Sequence, residues 1–345
     1  MTELRIQGVS GESIILIGES MARLPQYCTA TKSVILTDRR VAELYGHQFP
    51  TWPVIEIGRG EEMKTLKTVG SLYGAFLGQE IDRSSLIVAI GGGIVCDVAG
   101  FAASTYLRGL RFGFVPSTLL AQVDAGVGGK NGVNYKGYKN LIGTFTQPSF
   151  VLCDPALLRT LPEAEVKNGF AEVVKQAAIG DAALFSYLEG HCEEALSLDP
   201  DVIGHVTHAS LSVKKRFVMA DEKEQGERKK LNFGHTLGHA IEAVYSYRHG
   251  EAISVGMVAA ARLSVAQGRL HEGQAARLEA LLHRFGLPVR MVAESDFLWH
   301  ALGRDKKREN DHIHFVLLDE IGRANVAPIR IGELNEILKD LCQPR

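Results

Sequence analysis

A group of residues in the middle of the chain is of the types that hold metal ions and phosphate groups. Glu172 and Lys175 stand in GFAEVVK, Arg228, Asn232, His235 and His239 in ERKKLNFGHTLGHAIE, and His249 in RHGEA. Reactive zinc sites take three protein ligands and keep one position open, and two histidines with a carboxylate supply that set. His235 and His239 are four apart, so on a helix both leave the same face. Such a pair can grip one ion together, or one ring can ligate while the other meets a substrate. Glu172 lies in an otherwise apolar helical stretch, where a carboxylate is costly unless it meets a cation. Lys175, one turn later, is one such cation and a metal ion is another. The residues alone leave both open, although coordination accounts for the histidine pair, Glu172 and His249 at once.

Two further segments carry chemistry. In LIVAIGGGIVCDVAGFAAS an apolar strand runs into Gly91, Gly92 and Gly93 and then into a helix expected to begin near Asp97. Glycines there let the backbone approach a pyrophosphate, and the helix start offers it N–H groups. The order is not GxGxxG, so a tight structural turn is the competing reading. Asp38, closing the SVILTD run, is placed either to accept from ribose hydroxyls or to end a strand in a turn. The small-residue segment VPSTLLAQVDAGVGGKNGVNYKGYKN holds Asp124, Lys130, Lys139 and Asn140. Its two lysines supply localised positive charge for a phosphorylated substrate; a solvated loop with incidental lysines is the alternative. Lys214, Arg228 and the Asp305-Lys306-Lys307 cluster are further cationic candidates among side chains that are mostly solvated surface.

These residues need a frame. SIILIG, SVILTD, PVIEIG, SLIVAIGGG, RFGFVPST and FVLCDP alternate with helical stretches, which favours a parallel sheet flanked by helices over residues 1–155. From about Leu157 the pattern turns to long helical periods: AEVVKQAAIGDAALFSYLE, HGEAISVGMVAAARLSVAQG and QAARLEALLHRFG. The expected fold is therefore α/β: a Rossmann-like parallel-sheet domain over residues 1–155, then a mainly α-helical metal- and substrate-binding domain over residues 156–345. Within the second, HFVLLDEIG and RANVAPIR read as a hairpin turning at Ile321 to Arg323, and GELNEILKDL as a closing helix.

A formal charge of -2 provides no broad basic field, which argues against nucleic acid as a partner. Any anion site must come from a few local lysines and arginines. The five cysteines are odd in number and scattered, without CxxC spacing, behind an N-terminus with no signal-like apolar segment. That pattern reads as cytoplasmic and reduced. No apolar run approaches the ~20 residues of a membrane helix, so no membrane span is expected.

Taken together, the stretches GGGIVCDVAGFAASTYLRG, VPSTLLAQVDAGVGGKNGVN, KNLIGTF, LRTLPEAEVKNGFAEVVK, DEKEQGERKKLNFGHTLGHAIE, HGEAISVGM and DKK followed by VLLDEIG resemble the 3-dehydroquinate synthases, within the broader sugar phosphate cyclase family. They occur in family order over nearly the whole chain. The resemblance implies that Glu172, His235 and His249 bind a metal, normally zinc, with cobalt a possible substitute. It implies NAD contacts from Asp38, Glu61, Lys64, Gly92, Gly93, Asp97, Ser117, Thr118 and Thr160, with Lys130 and Lys139 beside them. For substrate it implies Arg108, Asp124, Lys130, Asn140, Lys175, Lys214, Arg228, Asn232, His239 and Lys306, in a homodimer whose partner subunit can lend Arg108. The implied activity is that of a phosphorus-oxygen lyase of the shikimate pathway. It converts 3-deoxy-arabino-heptulosonate 7-phosphate to 3-dehydroquinate by transient oxidation, phosphate elimination, re-reduction and aldol closure, without consuming NAD. Departures are local: Ala125 and Gly126 where a serine is common, Ser117 for a usual threonine, an unusual Tyr135-Lys136-Gly137-Tyr138, and a shorter His239 to His249 segment. The rival readings are a cyclase acting on sedoheptulose 7-phosphate or a similar sugar, a metal-dependent alcohol dehydrogenase, and a catalytically inactive binding or scaffold protein.

Overall fold

Backbone polar groups of a buried strand need partners on both sides, and β-branched runs bounded by turn residues meet that need in a central sheet. The computed structural model describes residues 1–292, 308–309 and 312–343. The chain divides into two units, Met1–Pro162 and Glu163–Arg345.

The first unit is built on β1 (Thr2–Gly8), β2 (Gly11–Ile17), β3 (Ser33–Asp38), α1 (Arg39–Tyr45), β4 (Val54–Ile57), α2 (Leu66–Gly78), β5 (Leu86–Gly91), α3 (Gly93–Thr105), β6 (Arg111–Pro116), β7 (Lys130–Tyr135), β8 (Tyr138–Phe145) and β9 (Phe150–Cys153). Seven of these strands form one sheet in the order β1-β2-β9-β6-β5-β3-β4. β1 pairs antiparallel with β2 and the others run parallel. β5 is buried along its whole length, as expected of a strand covered on both faces. One face packs Ile35, Val88, Ile90, Val115 and Leu152 against Met21, Leu24, Val41 and Tyr45.

Chain order reverses between β3 and β5: from β3 the chain steps outward to β4, whereas β5 and β6 lie on the other side. Thr37 pairs with Ile90, so Asp38 and Gly91 end neighbouring strands at that reversal. In open α/β sheets this crevice at the carboxyl ends is where ligands bind.

Two sequence expectations change here. Helix α3 starts at Gly93 rather than near Asp97, because Gly92 is its N-cap; Asp97 therefore lies in the second turn. The small-residue segment is not a loop throughout: β7 and β8 form a hairpin, with Gly132 paired to Gly143. The turn Pro155–Thr160 belongs to the first unit and is tied back to α1. Tyr45 Oη donates to the Leu157 carbonyl at 3.0 Å and lies 2.7 Å from Thr160 Oγ1.

The second unit contains α4 (Glu163–Gly180), α5 (Ala182–Gly190), α6 (Cys192–Leu196), α7 (Pro200–Ala220), α8 (His235–Val244), α9 (His249–Ala266) and α10 (Glu272–Arg284). The helical run through AEVVKQAAIGDAALFSYLE is broken at Asp181, whose carboxylate caps α5 by accepting from the Leu184 N–H at 2.9 Å. Helix α4 is buried at every position from Asn168 to Ile179 and packs against α5, α7 and α9. A helix surrounded in this way carries Glu172 and Lys175 inside the protein. The hairpin pairs His312–Glu320 with Arg323–Arg330 and is followed by the helix Leu334–Leu341. Among the described residues no helix is long and apolar enough to cross a membrane.

Helices α8 and α9 cross with almost no space between backbones. A Cβ on Gly256 would stand 2.0 Å from the Gly234 carbonyl oxygen, and Gly234 itself adopts φ +79° to start α8. Only glycine meets both demands.

Candidate active site

Three elements of the second unit converge on one point. His235 opens α8, His249 opens α9, and Glu172 lies in the middle of α4. The meeting of α9 with α4 is fixed by Asn168, whose Oδ1 accepts from the Gly250 N–H and whose Nδ2 donates to Glu165 at 3.2 Å. One turn further along α4, Glu172 Oε1 lies 3.2 Å from His249 Nε2 and 3.6 Å from His235 Nε2. Ligand atoms of all three residues fall within 4.8 Å of one another. Tetrahedral zinc with bonds of ~2.1 Å sets its donors about 3.4 Å apart, so the donor set and its spacing fit a zinc-type ion.

The far nitrogens of both rings are also held. His235 Nδ1 is 3.2 Å from the Phe233 carbonyl, and His249 Nδ1 is 3.4 Å from Glu242 Oε2. Those contacts make Nδ1 of each ring a hydrogen-bond donor and turn Nε2 toward Glu172, the orientation that metal-binding histidines usually show. Glu172 Oε2 pairs with the Lys175 ammonium, although no donor meets that oxygen at good hydrogen-bond angles. The ion pair and the candidate ligand cluster thus share one carboxylate.

The electrostatics separate the two histidines. Burial pushes His235 well below the ordinary histidine value, reinforced by the charges of Lys175, His239 and His249. Burial also lowers His249, but hydrogen bonds and charges from Glu172 and Glu242 outweigh it and hold that ring at about 9. Burial tends to raise Glu172, yet Lys175 and His249 bring it to about 2. His239 does not join the cluster. It is exposed on α8, its ring centroid 5.2 Å from that of His235 and edge-on to it. One of the pair points into the ligand cluster and the other outward.

Two cations lie buried on elements that pack against α4. Lys214 is buried on α7, which packs against α4. Arg228 is buried in the turn before α8, its Nη1 donating to the Glu222 carbonyl at 2.6 Å. Asp221 builds that turn by accepting from the N–H groups of Gln225, Gly226 and Arg228. Asn232 Nδ2 donates to Glu224. Lys306 lies outside the described residues.

In the first unit, Gly92 caps α3 without a side-chain hydrogen bond, so the helix presents its backbone N–H groups and positive dipole end there. A Cβ on Gly92 would stand 3.3 Å from Thr118, and one on Gly93 3.1 Å from Ala125. Such a glycine cradle at the strand-order reversal suits a pyrophosphate. The Ser117 N–H donates to the Gly91 carbonyl at 2.9 Å, and Lys64 forms an ion pair with Asp97. Asp38 Oδ1 caps α1 through the Val41 N–H at 3.0 Å, the turn role weighed against ribose binding. Asp124 is half-buried in the short turn Ala121–Ala125. Arg108 is exposed, at φ +67° beside Leu107 at φ +50°. Lys130 opens β7 opposite Phe145, whereas Lys139 lies near the hairpin turn. The two are about 15 Å apart along the strands.

Sequence reasoning missed several residues that organise these positions. Asn134 Nδ2 donates to Glu61 at 2.7 Å while its Oδ1 accepts from the Asn140 N–H at 2.9 Å, tying together two candidates far apart in sequence. Asn168, Asp221 and Tyr45 act through backbone contacts that leave no spacing signal. Glu242 did leave one: it follows His235 by seven residues, two helical turns on the same face.

Family models described as 3-dehydroquinate synthase N-terminal and 3-dehydroquinate synthase C-terminal match residues 54–168 and 169–308. The 3-dehydroquinate synthase of Halorhodospira halophila is 43% identical over 312 residues, covering 88% of each chain. A structure of 2-deoxy-scyllo-inosose synthase complexed with carbaglucose-6-phosphate, NAD+ and Co2+ superimposes with a TM-score of 0.88 at 27% identity, covering 98% of this chain and 100% of that one. The 2-epi-5-epi-valiolone synthase of Streptomyces hygroscopicus, with NAD+ and Zn2+ bound, also reaches 0.88 at 27% identity, covering 97% of this chain and 98% of that one. Matched over both halves and over most of its length, the chain belongs to the 3-dehydroquinate synthase family.

Proposed function

We infer that this chain converts 3-deoxy-arabino-heptulosonate 7-phosphate to 3-dehydroquinate and phosphate, with NAD and a zinc-type metal ion as cofactors. The observation that carries the reading is the meeting of Glu172, His235 and His249 inside a chain 43% identical to a 3-dehydroquinate synthase. Cyclases acting on other sugars share the architecture at only 27% identity, which favours the heptulosonate substrate over sedoheptulose 7-phosphate.

The roles follow from chemistry and placement. Glu172, His235 and His249 would hold the metal, which as a Lewis acid lowers the pKa of hydroxyl groups bound to it. Gly92 and Gly93 with the start of α3 would hold the NAD pyrophosphate, with Asp38, Glu61, Lys64, Asp97, Ser117, Thr118 and Thr160 around the nucleotide and Lys139 nearby. NAD supplies a reversible hydride acceptor. Lys175 neutralises Glu172 and adds positive charge where anionic oxygens develop. Lys130, Lys214, Arg228 and Lys306 bind the phosphate and carboxylate, Asp124, Asn140 and Asn232 orient hydroxyls, and Arg108 adds a further cation. Fixing a flexible sugar acid in reactive geometry is worth up to ~7–11 kcal/mol. His239, exposed one turn from His235, is suited to pass a proton to and from substrate. A cytoplasmic homodimer is the state the family resemblance supports, and five free thiols agree with a reducing compartment.

The test is phosphate release by enzyme stripped with a chelator and restored with Zn2+, offered the heptulosonate phosphate and, separately, sedoheptulose 7-phosphate. Zinc-dependent release from the first alone is expected. Release from the second alone, or steady NADH accumulation, would overturn the reading.

A further inference from the structure

Helix α8 supplies one metal ligand and also touches the other. Glu242, two turns after His235 on the same face, places Oε2 3.4 Å from His249 Nδ1, and its side chain is only 6% exposed. A carboxylate that nearly dry needs a reason to be there. The two histidines differ in how firmly the surrounding structure holds them. His235 is buried, and the Phe233 carbonyl, two residues away, accepts its Nδ1 proton. His249 is the first residue of its helix, with a side chain 27% exposed, and it follows a short connection that ties it to α8. Its ring therefore depends on a contact from outside its own helix.

We propose that Glu242 is a positioning residue for the metal centre: by accepting the Nδ1 proton of His249 it turns Nε2 toward Glu172 and a divalent zinc-type ion. The inference rests on the metal reading of the preceding section and goes beyond it, because Glu242 is not itself a ligand. Its geometry joins both ligating helices to one device. Orienting α8 orients His235 directly and His249 through Glu242. The carboxylate also makes His249 a more basic donor, as second-layer acceptors of ligating histidines do.

The experiment is titration of metal-stripped protein with Co2+, followed by calorimetry and by the visible ligand-field bands, for wild type, Glu242→Gln, Glu242→Ala and Glu172→Ala. NAD affinity and the melting temperature of each stripped protein are measured alongside. Glu242→Ala should weaken Co2+ binding by about 10- to 100-fold and alter the bands. Glu242→Gln, whose carbonyl can accept the same proton, should lose less and keep the wild-type spectrum, while NAD affinity stays within twofold for both. Co2+ affinity within twofold of wild type for Glu242→Ala, or a loss matched by equal losses in NAD affinity and melting temperature, would overturn the proposal while leaving the metal centre intact. Failure of wild type to bind Co2+, or undiminished binding by Glu172→Ala, would instead remove the metal centre and this inference with it.

Discussion

Replacing Gly256 by alanine should damage the metal centre from a distance. The added Cβ would stand 2.0 Å from the Gly234 carbonyl oxygen, 2.9 Å from its carbon and 3.1 Å from the Gly238 nitrogen, and all three are backbone atoms that cannot rotate away. Reaching even the 3.0 Å floor of real Cβ contacts from 2.0 Å requires α8 and α9 to part by 1.0 Å. His235 and His249 sit at the starts of these two helices, so a shift of that size reaches the ligands directly. Metal sites tolerate about 0.2 Å in ligand distance, several times less than the required opening. Overpacking of this kind costs ~1–3 kcal/mol. At roughly 2–4 °C per kcal/mol for a unit of this size, a middling cost lowers the melting temperature by about 4–8 °C. The assay is a thermal melt of stripped and zinc-loaded protein, wild type against Gly256→Ala. The wild type should gain stability on loading, whereas the variant should melt lower and gain little. A variant that melts with the wild type and gains equally from zinc would refute the claim that this contact sets the ligand geometry.

Other consequences are equally direct. Glu172→Gln removes the carboxylate that pairs with the Lys175 ammonium, only 1% exposed; urea unfolding should show a loss of ~1–3 kcal/mol, and unchanged stability would mean that this pair contributes nothing net to the fold. Asp221 lies below its usual value because three backbone N–H groups and Arg228 outweigh its burial. Its stabilisation is therefore present above the unfolded carboxylate pKa and lost as pH falls through the lower folded value. Asp221→Asn should cost ~1–3 kcal/mol at pH 7 and raise KM for the sugar phosphate through Arg228, with a stability gap that closes in acid; a gap independent of pH would contradict this account. Tyr45→Phe removes the hydroxyl holding Leu157 and Thr160, so it should cost ~1 kcal/mol and raise KM for NAD several-fold with kcat nearly unchanged. An unchanged KM would separate Thr160 from nucleotide binding.

The parallel sheet was legible because its strands are apolar, β-branched and bounded by turn residues. β1 was not, since it is an edge strand with only Ile6 buried and its sequence carries little apolar pattern. The β7–β8 hairpin was hidden by glycine and asparagine, which have weak strand preference; Gly132 and Gly143 stand opposite each other because their backbones nearly touch, a tertiary reason. At Gly91 to Gly93 the glycines could be read locally, but their placement at the strand-order reversal depends on pairings between distant segments. Spacing in HTLGH could not decide which histidine joins Glu172. That depended on α9 arriving through Asn168 and Gly250, so family resemblance rather than periodicity singled out His249. Glu242 had the right interval from His235, yet its partner lies across a helix junction.

The central claim is that a nicotinamide cofactor is used and regenerated within each turnover of a metal-dependent cyclase. The measurement is phosphate release from 3-deoxy-arabino-heptulosonate 7-phosphate by zinc-loaded enzyme given NAD at a concentration far below substrate, with absorbance of reduced nicotinamide followed in the same cuvette. Many phosphates released per NAD, with no lasting rise in that absorbance, is the predicted result. Phosphate release that stops at one equivalent of NAD, or NADH accumulating in step with product, would contradict it.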